Sequence, residues 1–348
     1  MVFTFSDYMH AFASLVSMEC SGCVFEGEKL HCVVGKETGW PPSKYFQLHL
    51  ELLKDIETCL PSNAEFKNFV QEQIIVTQDL LSFQNEIDSY LNASGTLSQT
   101  EFLKQLENFA LKTFYQIFNQ LETPGESILY PWGTLNHQVY VDIRHQQKKY
   151  QITIFDLGAG RQGNEPVYKP VQFERDRNLL KEKILQLVMN QNEVPSVELY
   201  QSIYESSQEE CEKCVAEIKQ TTGNCVVKNL LAAIQQDAFW KFGEDKGKKI
   251  FQCFYLFLIQ ATLKKVRNHV DKTTPSLPPL TDVCRHITDN QVAFKGVNIS
   301  DIISDEYENL SKYITIHRKL HKDLEGLLDF SQDITPPFNG LLQFLQIF

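Results

Sequence analysis

The 348-residue sequence predicts an α+β chain, mostly helical, with one small antiparallel sheet. Three observations carry that expectation. Apolar residues recur at helical spacing on both sides of one block, Glu126 to Gly160, which alternates polar and apolar residues instead. Within that block Val, Ile and Tyr dominate the apolar positions, as they do on a pleated, half-buried surface. Hydrophobic content of 43% and aromatic content of 11% are those of a chain that buries a core.

Taken in order, residues 1–41 open with an apolar segment, Tyr8 to Met18, that reads as a short helix. The following CSGCVFEGEKLHCVV reads as a small hairpin, ended by Gly39-Trp40-Pro41-Pro42. From Ser43 to about Gln120 the pattern is helical, first through Phe46, Leu52, Leu53 and Ile56, then through Phe66, Phe69, Val70 and Ile74. Pro61-Ser62-Asn63 separates these two helices, and Ser98-Gln-Thr-Glu101 has the form of a capping box that starts a third. Thr123-Pro-Gly125 stops it.

The block that follows holds three β-type runs, Ser127–Tyr130, His137–Ile143 and Tyr150–Phe155, with His145-Gln-Gln-Lys148 as a polar hairpin loop. After a loop to Val171 the pattern returns to helix over Phe173–Met189, Val197–Ser206 and Glu209–Lys219. Cys225 to Gln236 reads as an amphipathic helix with Val226, Leu230, Ala233 and Ile234 on one face, and helix continues through Phe239–Asn268. A Pro/Ser/Thr connector, Thr273 to Pro279, precedes a last long helix, Asp301 to Leu328. The expected division is a helical N-terminal region over 1–122, a core over 123–272 and a C-terminal helical region over 273–348.

Charge and cysteine usage exclude several classes. The net charge is −11 with no block of basic residues, which argues against a nucleic-acid partner. Nine cysteines, an odd number and several within apolar helical patterns, fit reduced thiols better than a disulfide framework. The most apolar window, Ile250 to Leu263, is too short to span a bilayer. The opening MVFTFSDYMHAF has no basic region and carries Asp7, unlike a secretory signal. Together these lead to the expectation of a cytoplasmic protein.

The chemistry-bearing residues lie in the β block and in QTTGNCVVKNLLAAIQ downstream of it. If the second and third β runs pair through their hairpin, His137 at the start of one and Asp156 at the end of the other become neighbours. Cys225 stands at the start of a helix, where the dipole favours an anion. A free cysteine is only a few per cent thiolate near neutral pH, so a nucleophilic Cys needs an imidazole, and the imidazole needs an orienting carboxylate. Cys225, His137 and Asp156 fill those roles in that order. Gln220 is placed to donate its amide to an oxyanion beside the Cys225 backbone N–H, and Gly223 allows a substrate backbone to come close.

The order His, then Asp, then Gln-x-x-x-x-Cys at a helix start resembles the clan CE cysteine proteases. These include the SUMO- and ubiquitin-like-specific proteases, the adenovirus protease, and bacterial effector deubiquitinases and acetyltransferases. Asn136-His137-Gln-Val-Tyr-Val and Ile-Phe-Asp156-Leu-Gly resemble the family's His strand and acid strand, and Gly223-Asn224-Cys225 resembles its Gly-x-Asp/Asn-Cys. The resemblance spans about Gly125 to Gln236. The chain departs from the pattern at Gln138, where Trp is usual, at Val226, where Gly is usual, and in the Gln220 spacing, shorter by one residue.

The resemblance implies a papain-like or adenovirus-protease-like core. It also implies a Cys225-His137-Asp156 triad with Gln220 as oxyanion donor, and Trp132, Gly223 and Asn224 against the substrate. It implies cleavage of an amide or isopeptide bond of ubiquitin or a ubiquitin-like modifier, a protein substrate, and no cofactor. Its bacterial branches add export into a host cell as an effector. Two alternatives stay open. The acetyltransferase branch uses the same triad with a basic pocket, for which Lys148, Lys149, Lys169 and Arg175 are the candidates. A helical interaction protein with an inactive site is the other.

Each residue also has a plain structural reading: His137 as a strand-edge histidine, Asp156 as a turn residue before Gly, Cys225 as a small core hydrophobe. Metal binding is not expected. Cys20-x-x-Cys23 and Cys211-x-x-Cys214 are too far apart for a compact zinc knuckle, and His317-Arg-Lys-Leu-His321 lacks the glutamate of a metalloprotease helix.

Overall fold

The computed structural model describes residues 2–15, 22–26, 29–33, 40–58, 64–94, 98–134, 137–146, 149–156, 161–162, 165–166, 171–174, 177–189, 209–210 and 225–273. The chain forms two compact units, one from Met1–Lys36, Glu51–Gln71 and Gln252–Phe348, the other from Glu37–Leu50 and Glu72–Phe251. The described helices are α1 (Phe5–Leu15), α2 (Pro42–Thr58), α3 (Ala64–Ser94), α4 (Gln99–Gln120), α5 (Arg177–Met189), α6 (Cys225–Phe242) and α7 (Glu244–Thr273). The strands are β1 (Gly22–Glu26), β2 (Lys29–Val33), β3 (Ser127–Thr134), β4 (His137–Gln146), β5 (Lys149–Phe155), β6 (Arg161–Gln162), β7 (Glu165–Pro166), β8 (Val171–Glu174) and β9 (Glu209–Glu210).

In the first unit β1 and β2 form a two-stranded antiparallel hairpin. Tyr8 donates its hydroxyl to Glu51, and Lys265 pairs with Glu51 at 2.6 Å and Asp55 at 3.0 Å. Phe66 packs tilted against Phe257 and Phe69 packs edge-on against Phe254, each pair with ring centroids 5.7 Å apart.

The second unit is built on an antiparallel sheet of order β3-β4-β5-β8-β9, in which three longer strands are extended by two short ones. β3 is an edge strand, which is where Pro131 is tolerated, since it cannot donate to a ladder. Trp132 lies opposite Val139, Ile128 opposite Ile143, and Val141 opposite Ile154, all on one face. That face forms a single apolar cluster with Phe83 and Ile87 of α3, Phe114 and Ile117 of α4, and Leu180 and Ile184 of α5. α4 begins with the capping box expected from its sequence: Ser98 Oγ accepts from the Glu101 N–H at 3.4 Å, and the Glu101 carboxylate accepts from the Ser98 N–H at 3.1 Å.

The opposite face departs from expectation. The alternating pattern predicts strands with one wet face, but Gln138, Asp142, Gln151 and Thr153 are buried there as well. The reason is α6, which packs on that face: Tyr140 Oη donates to the Val226 carbonyl at 2.8 Å, and Arg144 donates to Asp237 at 2.8 Å. Polar residues are retained because each finds a partner, as burial requires. α6 itself is not amphipathic in place. Every residue from Cys225 to Gln236 is buried, so the helix is enclosed on all sides.

Four further boundaries differ. His145 and Gln146 belong to β4 rather than to a polar loop; His145 is fully buried and its Nδ1 meets the Leu121 carbonyl at 2.8 Å. Phe173 lies in β8, and the helix starts at Arg177, because pairing of Val171–Glu174 with β5 claims those residues for the sheet. Glu209 and Glu210 pair with β8 in β9, where a helix was expected. The long helix over Phe239–Asn268 is broken at Gly243, whose φ of +76° ends α6; the Gly243 N–H donates to the Phe239 carbonyl. The segments Val197–Ser206 and Asp301–Leu328 lie outside the described residues. Among the described residues no helix is long and apolar enough to cross a membrane.

Candidate active site

Hairpin register brings the first two functional side chains together. β4 pairs with β5 from Tyr140 opposite Phe155 onward, so the next residue of each, Val139 and Asp156, continue the ladder's line. His137 is two residues further along β4, on the same face as Val139, and therefore a diagonal neighbour of Asp156. The His137 Nε2–H donates to Asp156 Oδ1 at 3.0 Å. The carboxylate is fully buried and the imidazole 18% exposed.

α6 brings the third. Cys225 is its first residue, and the Cys225 sulfur accepts a hydrogen bond from the Gln138 backbone N–H at 3.3 Å. The Cys225 side chain also lies beside the imidazole and favours its protonated form. With Nε2 given to Asp156, Nδ1 is the nitrogen left for sulfur. Burial alone would lower the His137 pKa. The hydrogen bond to Asp156 and the neighbouring Cys225 side chain outweigh it and push the group up to about 10.

The first turn of α6 is pinned to the start of β4 at three points. The Gln138 N–H meets Cys225, Asn229 Nδ2–H donates to the Gln138 carbonyl at 2.7 Å, and Tyr140 Oη reaches the Val226 carbonyl. Gln138 turns its own amide back onto the Trp132 and Val139 carbonyls, both at 3.1 Å. Gly133, opposite Gln138, has φ +128°, and a Cβ there would lie 2.1 Å from the His137 carbonyl oxygen. Only glycine lets β3 pass this close to the histidine's backbone.

Further along α6 a charged network anchors the helix. Arg144 donates to Asp142 at 2.9 Å and Asp237 at 2.8 Å and stacks on Trp240, with 3.7 Å from the guanidinium carbon to the ring centre. Lys241 reaches Asp237 at 2.9 Å and Glu72 at 2.8 Å. Burial pushes the Asp142 carboxyl up to about 6, Arg144 notwithstanding, whereas Arg144 and Lys241 together overcome burial and lower Asp237.

Of the residues singled out from sequence, Cys225, His137 and Asp156 thus come together. Trp132 is fully buried in the apolar cluster, which removes its side chain from the substrate contacts expected of it. Gln220, Gly223 and Asn224 lie outside the described residues, as do Lys148, Lys169, Arg175, Cys20, Cys211 and Cys214. Sequence reasoning passed over Gly133, Tyr140 and Asn229. Gly133 carried a legible signal, a glycine inside a strand pattern, which marks close backbone approach. Asn229 carried none, because asparagine within a helix has no pattern that names its partner. No protein-family model matches this chain, and no curated protein matches it.

Proposed function

We propose that the chain is a cysteine-nucleophile hydrolase of amide or isopeptide bonds, with Cys225, His137 and Asp156 as its reacting group, proton carrier and orienting carboxylate. The observation that carries this reading is the imidazole held between a buried carboxylate at 3.0 Å and the thiol at a helix start. One proton is shared by the Cys225 sulfur and His137 Nδ1. With it on the imidazole, the sulfur attacks the carbonyl carbon and the carbonyl electrons move to oxygen. Collapse of that oxyanion breaks the C–N bond, and His137 hands its proton to the leaving amine. Water then attacks the thioester, His137 takes the water's proton, and the C–S bond breaks to free the carboxylic acid. Asp156 keeps Nε2–H oriented throughout, so that Nδ1 always faces sulfur. The Cys225 backbone N–H and the Gln220 amide are the proposed oxyanion donors.

The resemblance to clan CE proteases directs the substrate reading to ubiquitin or a ubiquitin-like modifier. The test is a panel of such modifiers carrying a C-terminal electrophile, incubated with the purified protein. At least one should form a covalent adduct on Cys225 that is lost in His137→Ala. Adducts on other cysteines alone, or none with any modifier, would exclude the proposed substrate class. Equal alkylation of Cys225 in the unaltered protein and in His137→Ala would exclude the triad itself.

A further inference from the structure

We propose that Asn229 is a positioning residue that sets the alignment of the Cys225 sulfur with the His137 imidazole, an inference that rests on the hydrolase reading above. Gln138, the residue following His137, is gripped at both its N–H and its carbonyl by one turn of α6. The N–H is held by the Cys225 sulfur at 3.3 Å, and the carbonyl is held by Asn229 Nδ2 at 2.7 Å. Cys225 and Asn229 are four residues apart on the helix, so they face the same strand residue from one side. The Asn229 bond therefore fixes the height of the helix start along β4, and with it the position of sulfur against an imidazole one residue away.

The arrangement needs an amide. Asn229 is fully buried and must present an N–H to a carbonyl; a carboxylate of the same shape has no proton to give, and an apolar side chain leaves the carbonyl unpaired. The other holds do not replace it. Tyr140 fixes the Val226 carbonyl from a residue further along β4, and Arg144 acts two turns beyond, on Asp237. Neither touches the His137–Gln138 segment. Gly133 works to the same end from β3, since its missing Cβ leaves the His137 carbonyl where Asn229 needs the strand to be.

The readout is the pH dependence of Cys225 alkylation by iodoacetamide, followed by mass spectrometry of the peptide that contains it, alongside thermal melting. In the unaltered protein alkylation at pH 6 should be about tenfold or more faster than in His137→Ala, because the imidazole shares the thiol's proton. Asn229→Leu should retain a cooperative melt but lose that low-pH reactivity. The double variant with His137→Ala should alkylate no more slowly than either single variant, because both act through one contact. A lowered melting temperature with an unchanged pH profile overturns the proposal, since a merely structural asparagine would behave that way. Equal profiles for the unaltered protein and His137→Ala would instead overturn the hydrolase reading and leave nothing for Asn229 to position.

If Asn229→Leu does not fold, Asn229→Asp is measured in the same way. If neither folds, NMR of the unaltered chain decides. Alkylating Cys225 should shift the Asn229 side-chain amide resonances together with the Gln138 backbone amide. Asn229 resonances that stay in place while Gln138 moves overturn the proposal.

Discussion

The two faces of the five-stranded sheet are buried by different means. The face toward α3, α4 and α5 is filled by Ile, Val, Leu and aromatic side chains, and its stabilisation follows buried area without regard to direction. The face toward α6 mixes Tyr140, Phe155 and Leu129 with Gln138, Asp142 and Arg144, and its contacts to the helix include hydrogen bonds and the Arg144–Asp237 ion pair. An apolar interface sets a helix by interdigitation, without bonds to particular atoms. The directional bonds along α6 name the atoms that must meet. The face that carries the directional bonds is the one to which Cys225 is tied, through the Gln138 N–H.

The sharpest way to separate the two faces is Cys225→Ala. Turnover should fall to background, a loss on the order of 10⁶-fold, while the melting temperature barely moves. Retained turnover measured against a modifier substrate would show that Cys225 is not the nucleophile.

Asp156→Asn comes next. It should lower kcat by about 10⁴-fold through loss of the fixed His137 orientation, with the fold intact by circular dichroism. It also has a signature in stability. His137 is raised from 6.5 to about 10 in the folded state, so its contribution is complete below about pH 6.5 and is lost as pH rises toward 10. Removing the carboxylate lowers the folded value, so the loss should be smaller and should end at lower pH in the variant. Chemical denaturation across pH 6 to 10 checks it, and coincident curves would detach Asp156 from His137.

Arg144→Leu should cost about 3–5 kcal/mol, because Asp142 and Asp237 are left facing each other without the cation between them. Ile152→Ala, on the apolar face, should cost about 2–5 kcal/mol from lost burial and a cavity. The comparison predicts opposite side effects. Arg144→Leu should alter the low-pH alkylation of Cys225 by loosening α6, and Ile152→Ala should leave it unchanged. If both leave it unchanged, the charged network stabilises the unit without guiding the helix.

The smallest effect expected is from Tyr140→Phe, which removes one hydroxyl from the Val226 carbonyl at about 0.5–1.5 kcal/mol. A cost well above that would mean the hydroxyl holds more of the α6 start than its single bond accounts for.

What the sequence determined alone is what depends on near neighbours. The helix over Gln99–Gln120 and its Ser98–Glu101 cap arise from residues within one turn of each other, and the β4–β5 pairing arises from a hairpin a few residues long. That pairing is enough to bring His137 to Asp156, so this half of the candidate site was legible. The tertiary structure decided the rest. Whether Phe173 is helix or strand depended on β5 being there to pair with, and whether His145 is loop or core depended on the Leu121 carbonyl. The fate of the sheet's polar face depended on α6 arriving from far along the chain, and so did the meeting of Cys225 with His137. Alternation in a strand records only that its two faces differ. It does not record that the second face will be covered, because a polar side chain with a buried partner and one in water leave the same letter in the sequence.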